Sequence, residues 1–157
     1  MTTAENQTKF GIQRLFVRNI SFESPMAPDV FLSTWKPQIK IDLNTQHKAL
    51  TDDRHEVVLR LTVTATLDEK TAFLVEVEQG CIAVVSGFSD AQKGQMIGAY
   101  IPSVLFPYAR EAVDNMVTRG SFPALMLAPV NFDALYQQRL QATANPDQAP
   151  ADDVKPS

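Results

Sequence analysis

Few residues in this chain are able to do chemistry, and their spacing limits what they can do. There are two histidines, His47 and His55, and one cysteine, Cys81. His47 falls in a polar loop and His55 opens an alternating segment, where a surface position is expected. Neither has a partner at a spacing that marks a nucleophile pair or a metal set. Cys81 has no second cysteine for a disulfide, a redox pair or a zinc site, so it reads as a small buried hydrophobe. In KGQMIGAY the lysine precedes Gly94, and no Gly-Lys-Ser/Thr follows, so Gly94 and Gly98 make no phosphate loop. Asp52-Asp53 and Asp152-Asp153 lack a third ligand at calcium-loop spacing. Tyr108, Arg110 and Glu111 read as the exposed side of a helix. No catalytic residue, metal or cofactor is expected, and the chain does not read as an enzyme.

The elements that would have to position such residues read more clearly. With 157 residues, 45% hydrophobic and 20% charged, one domain with a real core is expected. A net charge of −4 and scattered Lys and Arg argue against nucleic acid as the partner. No apolar run approaches a membrane span, and the polar start MTTAENQTK lacks the apolar region of a signal peptide, so a cytoplasmic location without membrane insertion is expected. Residues 1–9 are polar and expected to be disordered. Residues 141–157 carry three prolines and little to bury, and are read as a disordered acidic tail. The domain is placed at 10–140.

From Phe10 to Phe22 alternation is interrupted by Leu15, Val17, Arg14 and Arg18, which predicts a strand with a bulge. Pro25, Pro28 and Pro37 forbid regular structure around Met26, Val30, Phe31, Leu32 and Trp35. Ile39, Ile41 and Leu43 alternate with Lys40, Asp42 and Asn44 in a short half-buried strand. His55 to Leu67 keeps a period of two throughout, and a short turn leads to a strand from Thr71 to about Ser86, giving an antiparallel hairpin. Ser89 and Asp90 suit the start of a short helix that ends at Ile101-Pro102. A second helix is predicted from Pro107, at its first position, to Gly120, as a left-handed cap. A third follows Asn131, with Phe132, Leu135, Tyr136 and Leu140 in a stripe. The helix 107–119 spans about 20 Å against roughly 43 Å for strands of that length. The apolar hairpin face is therefore expected to need cover from another subunit, which predicts a homo-oligomer.

Two features suggest binding rather than catalysis. The Pro-broken apolar segments Phe31 to Trp35 and Phe122 to Leu127, joined by the edge-like strand of Ile39, Ile41 and Leu43, would suit an extended apolar polypeptide, or would complete the core. Glu56, Glu76 and Glu78 on the polar hairpin face, with Glu23 nearby, would suit a basic partner, or would simply be solvated.

The segments IQRLFVRNISFESPMAP, EVVLRLTVTATL, TAFLVEVEQ and LFPYAREAVDNMVTRGSFPALMLAPVNFDALY resemble the SecB family of bacterial protein-export chaperones, from about Phe10 to Leu140. The resemblance implies an α+β fold: a four-stranded antiparallel sheet with two main helices on one face, assembled as a homotetramer that is a dimer of dimers. It implies an ATP-independent holdase that binds unfolded secretory precursors and delivers them to the SecA ATPase. The family's SecA-binding positions match Glu23, Leu74 and Glu76. Another position, acidic in well-known members, is Asn19 here. Positions associated with assembly match Val75, Val77 and Gln79, and the client groove would include Trp35, Ile39, Ile41, Leu43, Phe106 and Tyr136. Zinc in such systems belongs to SecA, so none is implied here. Two alternatives stand beside this reading: a SecB-like chaperone dedicated to a toxin-antitoxin pair, and a dimeric enzyme or small-molecule-binding domain.

Overall fold

The computed structural model describes residues 7–144. Four strands run β1 (Lys9–Glu23), β2 (Gln38–Ala49), β3 (Arg54–Leu67) and β4 (Lys70–Ser86), followed by α1 (Asp90–Gln95), a π-helical turn (Met96–Tyr100), α2 (Ile101–Arg119) and α3 (Phe132–Ala144). The strands form one antiparallel sheet in the order β1-β4-β3-β2. This is the expected α+β architecture. The expected terminal disorder lies mostly outside the described residues, but β1 already includes Lys9 and α3 continues through residues 141–144.

Alternation sets the faces of the sheet. The odd-numbered residues of β3 and β4 point to the helices: Val57, Leu59, Leu61, Val63, Ala65, Phe73, Val75 and Val77 are wholly excluded from solvent. Each large apolar side chain so buried contributes roughly 1.5–3 kcal/mol. The irregular β1 pattern has the cause predicted for it. Register shifts between Ile12 and Arg14 and between Val17 and Asn19 return Ile12, Leu15, Val17, Ile20 and Phe22 to that face, opposite Ala83, Cys81, Gln79, Val77 and Val75. Phe16 is sent to the other face, opposite Gly80, where its ring occupies the space a Cβ would take.

The helices correct the sequence reading. Ser89 caps α1 with a complete capping box to Gln92, as its position suggested. The chain does not stop at Ile101-Pro102, however. In the π turn the Ile101 N–H reaches back five residues to Met96 O, which shifts the hydrogen-bond ladder and lets Pro102 enter the first turn of α2. Pro107 is then inside the helix rather than at its start. Gly120 ends the helix with φ −79°, so it is not a left-handed cap. Glycine is needed there because the Phe22 ring occupies the place of a Cβ, and the positive φ falls on Ser121 instead.

From Asp90 to Arg119 the helical run is unbroken and spans roughly 45 Å. It covers the apolar hairpin face within one chain, so the inference that this face needs a second subunit loses its premise. α2 packs on β3 and β4, whereas α3 rests mainly on the π turn. The apolar side chains left in solvent lie elsewhere and include Leu15, Val17 and Ile20 on the edge strand β1, Leu32 and Met126 in the loops, and Tyr100 and Tyr108. No helix among the described residues is long and apolar enough to cross a membrane.

Candidate functional site

The Pro-broken segment after β1 makes one 3-10 turn, Asp29–Leu32, which buries Val30 and leaves Phe31 and Leu32 largely exposed. Prolines keep the segment short of a helix, so it can fold over the end of the sheet. The apolar loop after α2 comes to meet it. Phe122 sits at the centre of an aromatic cluster, with ring centroids 4.9 Å from Phe73, 5.1 Å from Trp35, 5.3 Å from Phe31 and 6.5 Å from Phe22. Such pairs contribute about 0.5–1.5 kcal/mol each beyond the area they bury. The two apolar segments singled out in the sequence therefore do meet, and Phe122 and Phe73 join them.

Beyond Phe122 the loop is held by polar groups of α2. The Asp114 carboxylate accepts the N–H of Leu125 at 2.8 Å and that of Met126 at 3.3 Å, and Arg110 Nη1 donates to Leu127 O at 3.4 Å. Leu125 and Leu127 are thereby turned towards the core, and Met126, with φ +49°, is left 80% exposed. Asn131 caps α3 through the Ala134 N–H, as expected. Of the stripe on that helix, Phe132 is buried edge-to-face against Phe106, while Leu140 is exposed. Tyr136 lies in a notch made by Gly94 and Gly98, where any Cβ would meet its ring or hydroxyl at 2.5 Å.

Trp35, Ile39, Ile41, Leu43 and Tyr136 are all half-buried and border the same core as Leu125, Leu127 and Val130. Phe106 is different, being only 4% exposed beneath α3. Among the described residues β2 pairs only with β3, so its outer edge offers free backbone groups beside the Ile39, Ile41 and Leu43 side chains. Half-buried apolar groups of varied shape next to a free strand edge suit an extended apolar peptide. Val75, Val77 and Gln79, the positions associated with assembly, are all buried within this chain. The two valines lie in the chain's own core under α2, and the Gln79 side chain donates to Phe16 O at 3.2 Å.

On the opposite face, cross-strand register gathers the acidic positions. Glu23 stands opposite Leu74, Ser21 opposite Glu76 and Asn19 opposite Glu78. The face is less acidic than its sequence suggested. Glu78 is 8% exposed and accepts from Arg18 Nε at 2.8 Å and from Arg60 Nη2 at 2.8 Å. These bonds, that from Arg18 foremost, hold its carboxyl below the usual range. Arg18 also approaches Glu56 at 3.5 Å, and Arg60 approaches Glu76 at 3.8 Å. The two arginines are what sequence reading missed. Glu23 is exposed, and the Glu76 side chain remains one third exposed beside Arg60.

His55 is a further correction: it is 2% exposed rather than on the surface, and its Nδ1 lies 2.9 Å from Nε2 of His47. Cys81 is buried as expected, and burial pushes its thiol up to about 11. Among the described residues no group of three or more His, Cys, Asp or Glu gathers as a metal-ligand set.

Comparison with known proteins agrees with this geometry. The SecB profile, described as preprotein translocase subunit SecB, matches residues 3–143. The protein-export protein SecB of Marinobacter nauticus is 57% identical over 137 residues, which cover 87% of this chain and 83% of that one. That of Hahella chejuensis is 49% identical over 97% of this chain and 96% of its own length. Among solved structures, a SecB-like chaperone of Mycobacterium tuberculosis in complex with an antitoxin peptide superposes with a TM-score of 0.62 at 14% identity. That match covers 77% of this chain and 87% of the other, and the likeness is one of fold. This chain belongs to the SecB family, whose members are protein-export chaperones and not enzymes.

Proposed function

We propose that this chain is an ATP-independent holdase that captures extended apolar segments of unfolded secretory precursors and hands them to the SecA ATPase in the cytoplasm. The observation that supports it best is the meeting of the two apolar segments through Phe31, Trp35 and Phe122 beside the free edge of β2. Trp35, Ile39, Ile41, Leu43 and Tyr136 line the groove in this reading, and Phe106 supports it from below. Apolar client surface removed from water is worth about 25 cal/mol per Å². Many such weak contacts along one chain add through effective concentration, which permits firm holding with easy release.

Glu23, Leu74 and Glu76 form the SecA-facing patch in this reading, and Asn19 leaves it one charge poorer than in well-known relatives. The working form is a homotetramer, a dimer of dimers. Val75, Val77 and Gln79 influence that assembly by setting how α2 lies on the sheet, and the exposed β1 residues Leu15, Val17 and Ile20 supply apolar contact area.

Ile41→Asp or Leu43→Asp tests the groove, because each places a charge beside the captured segment without touching β1. Suppression of aggregation of an unfolded precursor should fall several-fold while light scattering reports an unchanged oligomer. Undiminished suppression rules out the β2 side as the groove.

A further inference from the structure

The His47–His55 contact lies at the turn end of the β2–β3 hairpin, on the helix-facing side, away from the aromatic cluster and the acidic patch. Its ring centroids are 5.0 Å apart and its nitrogens 2.9 Å apart. Two imidazoles meeting end to end at hydrogen-bond distance set their centroids roughly 5 Å apart, so the nitrogens aim at each other across one shared proton. They leave no common point at which both could ligate a metal. The other nitrogen of His55, Nε2, is buried with no partner among the described residues. The less costly tautomer has His55 Nδ1–H donating to His47 Nε2, which leaves a bare, buried acceptor rather than a buried unpaired N–H.

Adding a proton to this pair requires an N–H on His55 Nε2 or the loss of the contact. The surroundings oppose it. Burial lowers the pKa of both rings, and Lys93 of α1 adds like charge to each. Asp53, in the turn, is the opposing carboxylate, and acts on His55 more weakly than burial, Lys93 or His47. From β4 the residues opposite His55 and Val57 are Ala83 and Cys81, the latter an uncharged thiol at neutral pH. α1 itself buries no side chain, so it is fixed by its capping box, its junction with the π turn and its contacts with α3. α3 depends on α1 in turn. Tyr136 sits in the Gly94 and Gly98 notch, and Gln95 Nε2 donates to Asp133 Oδ1 at 2.6 Å.

We propose that the His47–His55 pair is an acid-sensitive latch: proton uptake by the pair repels Lys93, lifts α1 from the hairpin end and loosens the seat of α3. If α3 walls the client groove, the same proton opens that wall. Only this last consequence rests on the holdase reading, because the latch can be tested without any client.

The test is a pH titration of the full chain by NMR, following the imidazole resonances of His47 and His55 and the backbone amides of residues 90–98 and 132–144. Both rings should titrate below free histidine in the same buffer, and the amide shifts of α1 and α3 should follow the same midpoint. Lys93→Met, on the half-exposed side of α1, should raise that midpoint and reduce the amide changes by at least half. His55→Phe should abolish them, and if that variant does not fold, Lys93→Met decides alone. Amides of α1 and α3 that stay still through the titration of the pair would overturn the proposal. So would a Lys93→Met midpoint equal to that of the unsubstituted chain. Addition of zinc or nickel at neutral pH should leave both rings unshifted, and joint displacement of the two rings at one equivalent would replace the latch by a metal site.

Discussion

The carboxylate of Asp114, on α2, accepts the backbone N–H of Leu125 at 2.8 Å, so that a charged helix residue fixes the course of an apolar loop. The loop brings no regular hydrogen bonding of its own, and Asp114 supplies acceptors for two of its successive amides.

Asp114→Ala should therefore free the loop without unfolding the sheet. Loss of a charge-assisted hydrogen bond at a part-buried site costs about 1–2 kcal/mol. Hydrogen exchange should accelerate at Leu125 and Met126 and stay unchanged in β3 and β4. Equal acceleration in the sheet would mean that the loop is integral to the core rather than strapped to it.

Glu78 gives a stability term with a defined sign. Its carboxyl is held below the ordinary 4.5 by hydrogen bonds from Arg18 and Arg60. The contribution is thus complete above about pH 4.5 and is lost as pH falls through the lower folded value, because the unfolded chain takes up the proton first. Glu78→Gln should remove about 1 kcal/mol at pH 7, since both guanidiniums are 38% exposed and can be rehydrated. The two proteins should converge in urea stability at strongly acid pH. A constant difference down to pH 3 would show that the effect is packing and not charge.

Glu76→Lys probes the neighbouring carboxylate in the proposed SecA patch. Glu76 is 3.8 Å from Arg60 and one third exposed, so reversing its charge should change folding stability by less than about 1 kcal/mol. It should, however, repel a basic partner. Calorimetry should show SecA affinity reduced at least tenfold while precursor capture is retained. Equal affinity for SecA would remove Glu76 from the patch.

How far the sequence could be read depends on which physical constraint acted locally. Period-two alternation identified β3 and β4 because their odd-numbered residues are buried without exception from Val57 to Leu67 and from Phe73 to Val85. The same alternation put His55 on the buried side, and only its position at a strand start suggested the surface. The Arg60–Glu78 pair was hidden by a register shift. Counting outwards from Leu67↔Lys70 pairs Arg60 with Val77, but the irregularity between Ala65 and Thr66 moves it opposite Glu78. Pro102 and Pro107 were read as helix boundaries because proline usually is one. Only the π turn, which no residue type in Met96–Tyr100 announces, allows the helix to run through. The meeting of Trp35 with Phe122 was legible as two apolar segments needing cover, whereas the glycine notch under Tyr136 joins residues about forty positions apart and has no local signal.

That notch leads to the last expectation. Gly98→Ala should stabilise an isolated helix by up to about 1 kcal/mol, because alanine loses less backbone freedom. Here the added methyl would meet Cδ2 and Cε2 of Tyr136 at 2.5 Å, and a flat ring packed by its face cannot yield as a flexible chain end would. The π turn is anchored by buried Ile97 and Ala99, while α3 is held chiefly by Phe132 and Tyr136, so α3 should move. The variant should unfold at an unchanged or slightly higher urea concentration, yet lose exchange protection throughout residues 132–144. Tyr136→Ala should produce the same loss of protection. Adding it to Gly98→Ala should then change nothing further, since both act on one contact. Full protection of α3 in Gly98→Ala would mean that the helix is held from elsewhere.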